Sequence, residues 1–144
     1  MNRIEIIKFI LTEFNAANIK YCVLRNYEFL LDNQEEQVGS LDTLIATKDM
    51  PMAHQILIRR GFIKRKPQFS LKHQAYFKLV NLQKVSFDIQ VGGIYWNDMS
   101  YLTDSIINNR VKKSYFYIPS SNDTFLMLIV HSILGKRFFF IINL

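Results

Sequence analysis

A chain of 144 residues, 49% of them hydrophobic and 14% aromatic, has the length of one domain and ample material for a core. Only 21% of residues are charged, which argues against a disordered chain. Eighteen Lys and Arg against twelve Asp and Glu leave a net charge of +6, a balance that favours polyanionic partners such as nucleotides, RNA or a membrane surface.

The single cysteine, Cys22, excludes an internal disulfide and a Cys-based zinc cluster. Its place in the apolar run Tyr21-Cys22-Val23-Leu24 predicts an inert buried thiol. Glu5, Lys8 and Glu13 interrupt the apolar residues at the N-terminus, so no signal peptide is expected there. The run Phe125 to Val130 is too short to span a bilayer, which takes about 20 apolar residues. The expectation is a cytoplasmic domain with no membrane span.

In chain order, Ile7, Ile10, Leu11 and Phe14 recur at helical spacing and predict a helix over residues 3–17, stopped at Asn18. "IKYCVL" reads as a buried strand, and "RNYEFLLDNQEEQ" as a short helical turn followed by a polar loop. "SLDTLIAT" is the second strand. Asp49 is an N-cap candidate with Pro51 just behind it; Ala53, Ile56 and Leu57 form the apolar stripe of the next helix, and Gly61 stops it. "FIK" is a short strand, and "AYFKLV-NLQ-KVSFDIQV" has the form of a hairpin turning at Asn81. Its second arm alternates Val85, Phe87, Ile89 and Val91 with Ser86, Asp88 and Gln90. Gly92-Gly93 ends it. A weaker helical stretch over 99–109, a strand "SYFYIP", and a helix opening at Ser120 and Asp123 in capping-box spacing complete the chain. The order predicts an α+β domain, a mixed sheet with helices packed on it: a core over 1–118, then a C-terminal helix and apolar tail over 119–144. The terminal "FFFIINL", free of charge, is expected to dock on the core, to form a homo-oligomer contact, or to mark a shortened chain.

Residues i and i+2 of a strand share a face, which makes Ser40 and Asp42 neighbours. Asp88 projects from the polar face of another strand. If the two strands are adjacent, Asp42 and Asp88 converge, and two carboxylates so held suit Mg²⁺ bound together with substrate phosphates. Such a site would neutralise charge and orient an oxygen nucleophile for in-line attack on phosphorus.

The stretch "YCVLRNYEFLLDNQEEQVGSLDTLIATKDMPMAHQILIRRGF", with "VSFDIQV", "GGIYW" and "YIPSSNDTFLMLIVHSILGKRFF", resembles nucleotidyltransferase-fold proteins of the DNA polymerase beta superfamily, in particular small bacterial and archaeal members. The resemblance covers nearly the whole chain and rests on the order and spacing of its motifs. It implies a nucleotidyltransferase-like sheet that binds a Mg²⁺-nucleoside triphosphate such as ATP. A nucleotidyl group would pass to a hydroxyl acceptor on a nucleic acid or a protein. Arg25 and Asn26 fall at the helix start that grips phosphate, Ser40-Leu41-Asp42 at the Asp-x-Asp position, and Asp88 at the third carboxylate. Asp42 and Asp88 are then the metal and catalytic residues, with Asp88 also helping to deprotonate the acceptor. Arg25, Asn26 and Ser40 are the nucleotide-binding residues.

Two departures stand out. Ser40 replaces the first Asp, and Arg25-Asn26 replaces a common Gly-Ser. Glu35 or Glu36 is a candidate to supply the missing carboxylate. The alternative function is an inactive nucleotide- or partner-binding module on the same fold, in an assembly or antitoxin-like role. Simpler readings remain beside these: Ser40 as a turn residue after Gly39, Arg25 as the partner of Glu28, and Asp42 and Asp88 as unrelated edge residues. Arg59, Arg60, Lys64, Arg65 and Lys66 are either a solvated face or a nucleic-acid contact. His54, His73 and His131 lack metal-ligand spacing. Tyr95 and Trp96 either stack a base or pack on the sheet.

Overall fold

The structure, a computed structural model, describes residues 1–33, 38–66, 72–96, 99–101 and 105–132, without the side chains of 95, 96, 99–101 and 131. Its first helix, α1 (Arg3–Ala16), starts at a reciprocal capping box. Asn2 Oδ1 accepts from the Glu5 amide at 2.8 Å, and Glu5 Oε2 accepts from the Asn2 amide at 2.7 Å. Asn18 stops the helix in the left-handed region at φ 54°, a conformation Asn tolerates. Strand β1 (Tyr21–Arg25) and a five-residue helix α2 (Glu28–Asp32) follow, then β2 (Ser40–Ile45), a 3₁₀ turn (Thr47–Asp49) and α3 (Met50–Arg59). Pro51 sits in the first turn of α3, but Asp49 does not cap it; its Oδ2 accepts from the Lys20 amide at 2.9 Å and ties the start of β1 to that turn. Gly61, at φ 81°, ends α3 as its spacing predicts.

Strands β3 (Ile63–Lys64), β4 (His73–Val80) and β5 (Gln83–Val91) complete a five-stranded mixed sheet in the order β1-β2-β5-β4-β3. The pair β2–β5 is parallel and the remaining pairs are antiparallel. The chain over 94–118 differs from expectation. In place of a helix across 99–109 there are β6 (Ile94–Trp96), paired with β7 (Met99–Tyr101), and a single-turn α4 (Ser105–Asn108). The strand expected in "SYFYIP" is β9 (Phe116–Ile118), which forms a hairpin with β8 (Val111–Lys113). Short polar-apolar mixtures of this kind satisfy helix and strand periods equally, so pairing decides between them. Last comes α5 (Ser121–Ser132), where Ser120 Oγ accepts from the Asp123 amide at 3.2 Å. The apolar tail at 138–144 lies outside the described residues, as do Glu35 and Glu36. No described helix is long and apolar enough to cross a membrane.

The sheet has two unlike faces. Leu41, Thr43, Ile45, Tyr76, Val85, Phe87 and Ile89 look to one side and are buried, most of them beneath α1 and α3 in the main core. Among the described residues, the other side is covered only near β1, where Cys22, Leu24 and Leu44 meet Ile94, Ile106 and Ile107. Cys22 is fully buried there, and burial pushes its thiol pKa up to about 12. The native protein should therefore fail to react with a disulfide reagent at pH 8 and react fully once denatured; rapid native labelling would contradict this packing.

The β4–β5 turn is two residues long, with both Asn81 (φ 50°) and Leu82 (φ 63°) left-handed. Asn suits this turn, whereas Leu82 carries the cost of a branched side chain in that region and is 96% exposed. Leu82→Gly should stabilise the protein by about 1 kcal/mol, read as a higher denaturant midpoint at unchanged slope.

Candidate functional site

The parallel register of β2 and β5 sets Ser40 beside Ser86, and Asp42 beside Asp88. All four face the side of the sheet away from the main core, because Leu41, Thr43, Phe87 and Ile89 between them take the core side. The adjacency on which convergence of the two aspartates depended is present. Parallel strands cannot be joined by a tight turn, so the crossover through α3, β3 and β4 separates the two carboxylates by 46 positions while making them neighbours.

Arg25 reaches the same place by a different device. Alternation along β1 would send it, like Tyr21 and Val23, into the core. The ladder slips between Val23 and Arg25, with Val23 opposite Thr43 but Arg25 opposite Asp42. This bulge turns Leu24 and Arg25 together toward the open side. Arg25 Nε donates to Asp42 Oδ2, so the guanidinium pairs with Asp42 and not with Glu28. Arg25 is half exposed and Asp42 mostly buried, the situation of a pair at the rim of a site.

Ser40 is the first residue of β2, past the turn, and its Oγ donates to Asp88 Oδ2 at 2.7 Å. Its hydroxyl therefore donates a hydrogen bond to one carboxylate at the position where an Asp-x-Asp reading expects a negative charge. Each aspartate thus has one oxygen held by a neighbour, and Oδ1 of each has no hydrogen-bond partner among the described residues. Asn26 follows in the left-handed region at φ 56° and lines a cleft of ≈ 380 Å³ with Glu28, Phe29, Gly39, Ser40 and Asp42. The helix behind it, α2, is a turn and a half long and has no side-chain cap.

Ser86, buried beside Ser40, was not singled out by sequence, although its place two residues before Asp88 on an alternating strand marks it as part of the same face. The basic stretch divides. Arg60 holds Glu13 through two hydrogen bonds of 2.6 and 2.8 Å and lies over Phe9, with Arg59 3.6 Å from the same carboxylate. Hydrogen bonding to Arg60 holds the Glu13 pKa below the ordinary carboxylate value. Arg59 and Arg60 therefore fasten α3 to α1, while Lys64, Arg65 and Lys66 remain exposed. His54 is occupied by the Tyr76 hydroxyl at 2.8 Å on the core side. His73 stands opposite Gln90, on the face of Asp88 but one pleat further along.

Among the described residues no three His, Cys, Asp or Glu side chains cluster as a metal cage. The donors present are the hard oxygens of Asp42 and Asp88. That set fits Mg²⁺, which takes one or two protein carboxylates and completes its shell from water and phosphate, better than it fits zinc, whose sites are built mainly from His and Cys with a carboxylate at most beside them. The fold and site define a mixed α+β domain with a carboxylate pair, an arginine and a serine on the open side of its sheet. Compared with protein-family models, with curated proteins and with solved structures, the chain gives no match.

Proposed function

We propose that the protein binds a Mg²⁺-nucleoside triphosphate on the open face of its sheet and acts as a nucleotidyltransferase toward a hydroxyl acceptor. The observation that supports this is the register pairing of Asp42 with Asp88, flanked by Arg25 on the outer strand. Asp42 and Asp88 would hold the ion through their Oδ1 oxygens. When bound, the ion neutralises phosphate charge and aligns the reacting oxygens.

The chain's own side chains supply the rest. Arg25, a planar fork of donors at the cleft, passes from Asp42 to a phosphate oxygen. Asn26 borders the same cleft. Ser40 keeps Asp88 in one rotamer. In the transfer, the acceptor oxygen bonds to the α-phosphorus, the α–β phosphoanhydride bond breaks, pyrophosphate leaves, and Asp88 Oδ2, the oxygen not on the ion, accepts the hydroxyl proton.

One observation favours a second reading. Arg25 and Ser40 already satisfy one oxygen of each carboxylate, leaving a site with net charge near −1. A nucleotide could then be held without being turned over, as in an inactive binding module. Both readings place nucleotide binding at Asp42 and Asp88, and both meet the same test. MgATP at about a hundredfold over its dissociation constant should stabilise the protein by about 2.7 kcal/mol, a rise in melting temperature of several degrees. Asp42→Asn and Asp88→Asn should each abolish the Mg²⁺-dependent part of that rise. A wild-type protein indifferent to MgATP, or variants that respond as wild type does, would refute the assignment. Release of labelled pyrophosphate separates turnover from binding.

A further inference from the structure

We infer that the groove between α1 and the end of α3 is a second ligand site, and that its ligand is a small monocarboxylate with an apolar body, the size of a medium-chain fatty acid. The groove holds ≈ 420 Å³, toward the lower end of the range for small-molecule sites. It lies on the helix-covered side of the sheet, whereas Asp42 and Asp88 face the other side. It is therefore independent of the nucleotide site proposed above.

Part of the lining is apolar. Ile6 stands three residues from Phe9 and four from Ile10, which sets the three on one stripe of α1. Ile6 and Ile10 belong to the core, but Phe9 lies in neither buried cluster and is 40% exposed. Beside them stand three cations. Arg59 and Arg60 close α3, and Lys78 comes from β4, two residues from Tyr76 and on the same face. They converge: Lys78 Nζ donates to the Arg60 carbonyl at 2.8 Å, and both arginines reach the Glu13 carboxylate. The Arg60 guanidinium also lies 4.6 Å from the centre of the Phe9 ring, so charge and apolar surface are held together.

Charge decides the occupant. Among the described residues Glu13 is the one carboxylate that meets these three cations, so positive charge is in excess. Arg60 holds Glu13 through Nε and Nη2, and its Nη1 has no hydrogen-bond partner among the described residues. Arg59 stands 3.6 Å from Glu13, too far for a hydrogen bond, and is 66% exposed. Lys78 has used one of three ammonium protons on the Arg60 carbonyl. Donors left over on two guanidinium groups and an ammonium suit a carboxylate head. An alkyl body would then lie along Phe9 and leave water. A bare anion would leave that apolar stripe wet, and a cationic head would be repelled. A polyanion needs cations strung along a path, whereas these three meet at one point.

Amide NMR spectra of the full chain, titrated with sodium octanoate below its micelle concentration, test this. Octanoate should shift the amides of Phe9, Ile10, Arg60 and Gly61 and leave those of Ser40, Asp42 and Asp88 in place. Acetate, which has the head without the body, and octylammonium, which has the body with the opposite charge, should shift neither set. Arg59→Glu and Phe9→Ala should each weaken octanoate binding about tenfold, with the rest of the amide spectrum unchanged. MgATP should move the second set and not the first; a second set indifferent to MgATP would refute the nucleotide site and leave this one standing. Unmoved groove amides, an equal response to acetate or octylammonium, or wild-type affinity in Arg59→Glu overturns the inference. So does a dimer in sedimentation that both substitutions disperse, since a second copy would then fill the groove.

Discussion

Replacing Ser40 by Asp should destabilise the metal-free protein and make its stability strongly dependent on Mg²⁺. Ser40 Oγ lies 2.7 Å from Asp88 Oδ2 and donates to it, so a carboxylate at that position faces another carboxylate. Two like charges about 4 Å apart repel by about 4 kcal/mol at an effective dielectric of 20. Both residues are partly exposed, and solvent screening reduces this to about 1–3 kcal/mol. The sign with pH follows from which way the pair titrates. Repulsion raises a folded-state pKa above the unfolded value of about 3.9, so the penalty is absent at lower pH and grows as pH rises through the raised pKa. With Mg²⁺ present, three carboxylates replace two, and the ion should bind the variant more tightly than wild type. Thermal melts in EDTA and in MgCl₂, at pH 4 and pH 8, read all of this. Equal melting temperatures for both proteins in EDTA at pH 8 would show that the Ser40 hydroxyl is not seated on Asp88.

Truncating the residue next to Asp88 should have the largest effect on stability. Phe87 is fully buried, with ring centroids 5.6 Å from Phe62 and 6.4 Å from Phe14, and it lies on β5, which pairs with strands on both sides. Phe87→Ala removes contacts to α1 and to the segment after α3 together, and the backbone of a paired central strand cannot move to fill the space. The expected loss is about 3–5 kcal/mol, a large part of the roughly 5–15 kcal/mol typical of a domain. In a chain of this size that lowers the melting temperature by roughly 10–20 °C. The urea midpoint should fall at unchanged slope. A loss under about 1 kcal/mol would mean that β5 is not the strand on which the core is assembled.

These two substitutions concern adjacent residues of one strand pair and show how the site depends on the core. The register that buries Phe87 and Leu41 is the register that brings Asp88 beside Asp42. A slip of β5 by one residue against β2 would turn Asp88 into the core and Phe87 out of it, so hydrophobic burial enforces the geometry of the polar face.

Much of this was legible in the chain. Alternation in "KVSFDIQV" marked Asp88 as a residue on a polar face, and "SLDTLIAT" placed Ser40 and Asp42 on one side of a strand, because a period of two is a property of any extended backbone. The stops at Asn18, Gly61 and Asn81 were readable for the same local reason: few residues adopt the left-handed region cheaply. Segments over 94–118 were not, since three-residue strands have no period long enough to register and exist only through their partners.

What the sequence determined by itself, then, was the set of elements outside 94–118, the residues on each face and the two aspartates. Only the tertiary structure decided which strands, beyond the β4–β5 hairpin, are neighbours. It showed that β2 and β5 run side by side in parallel, that a bulge in β1 swings Arg25 onto Asp42, and that Ser40 is bonded to Asp88. The physical reason is that face is set by the local backbone, whereas adjacency and register are set by how all the apolar faces are buried at once.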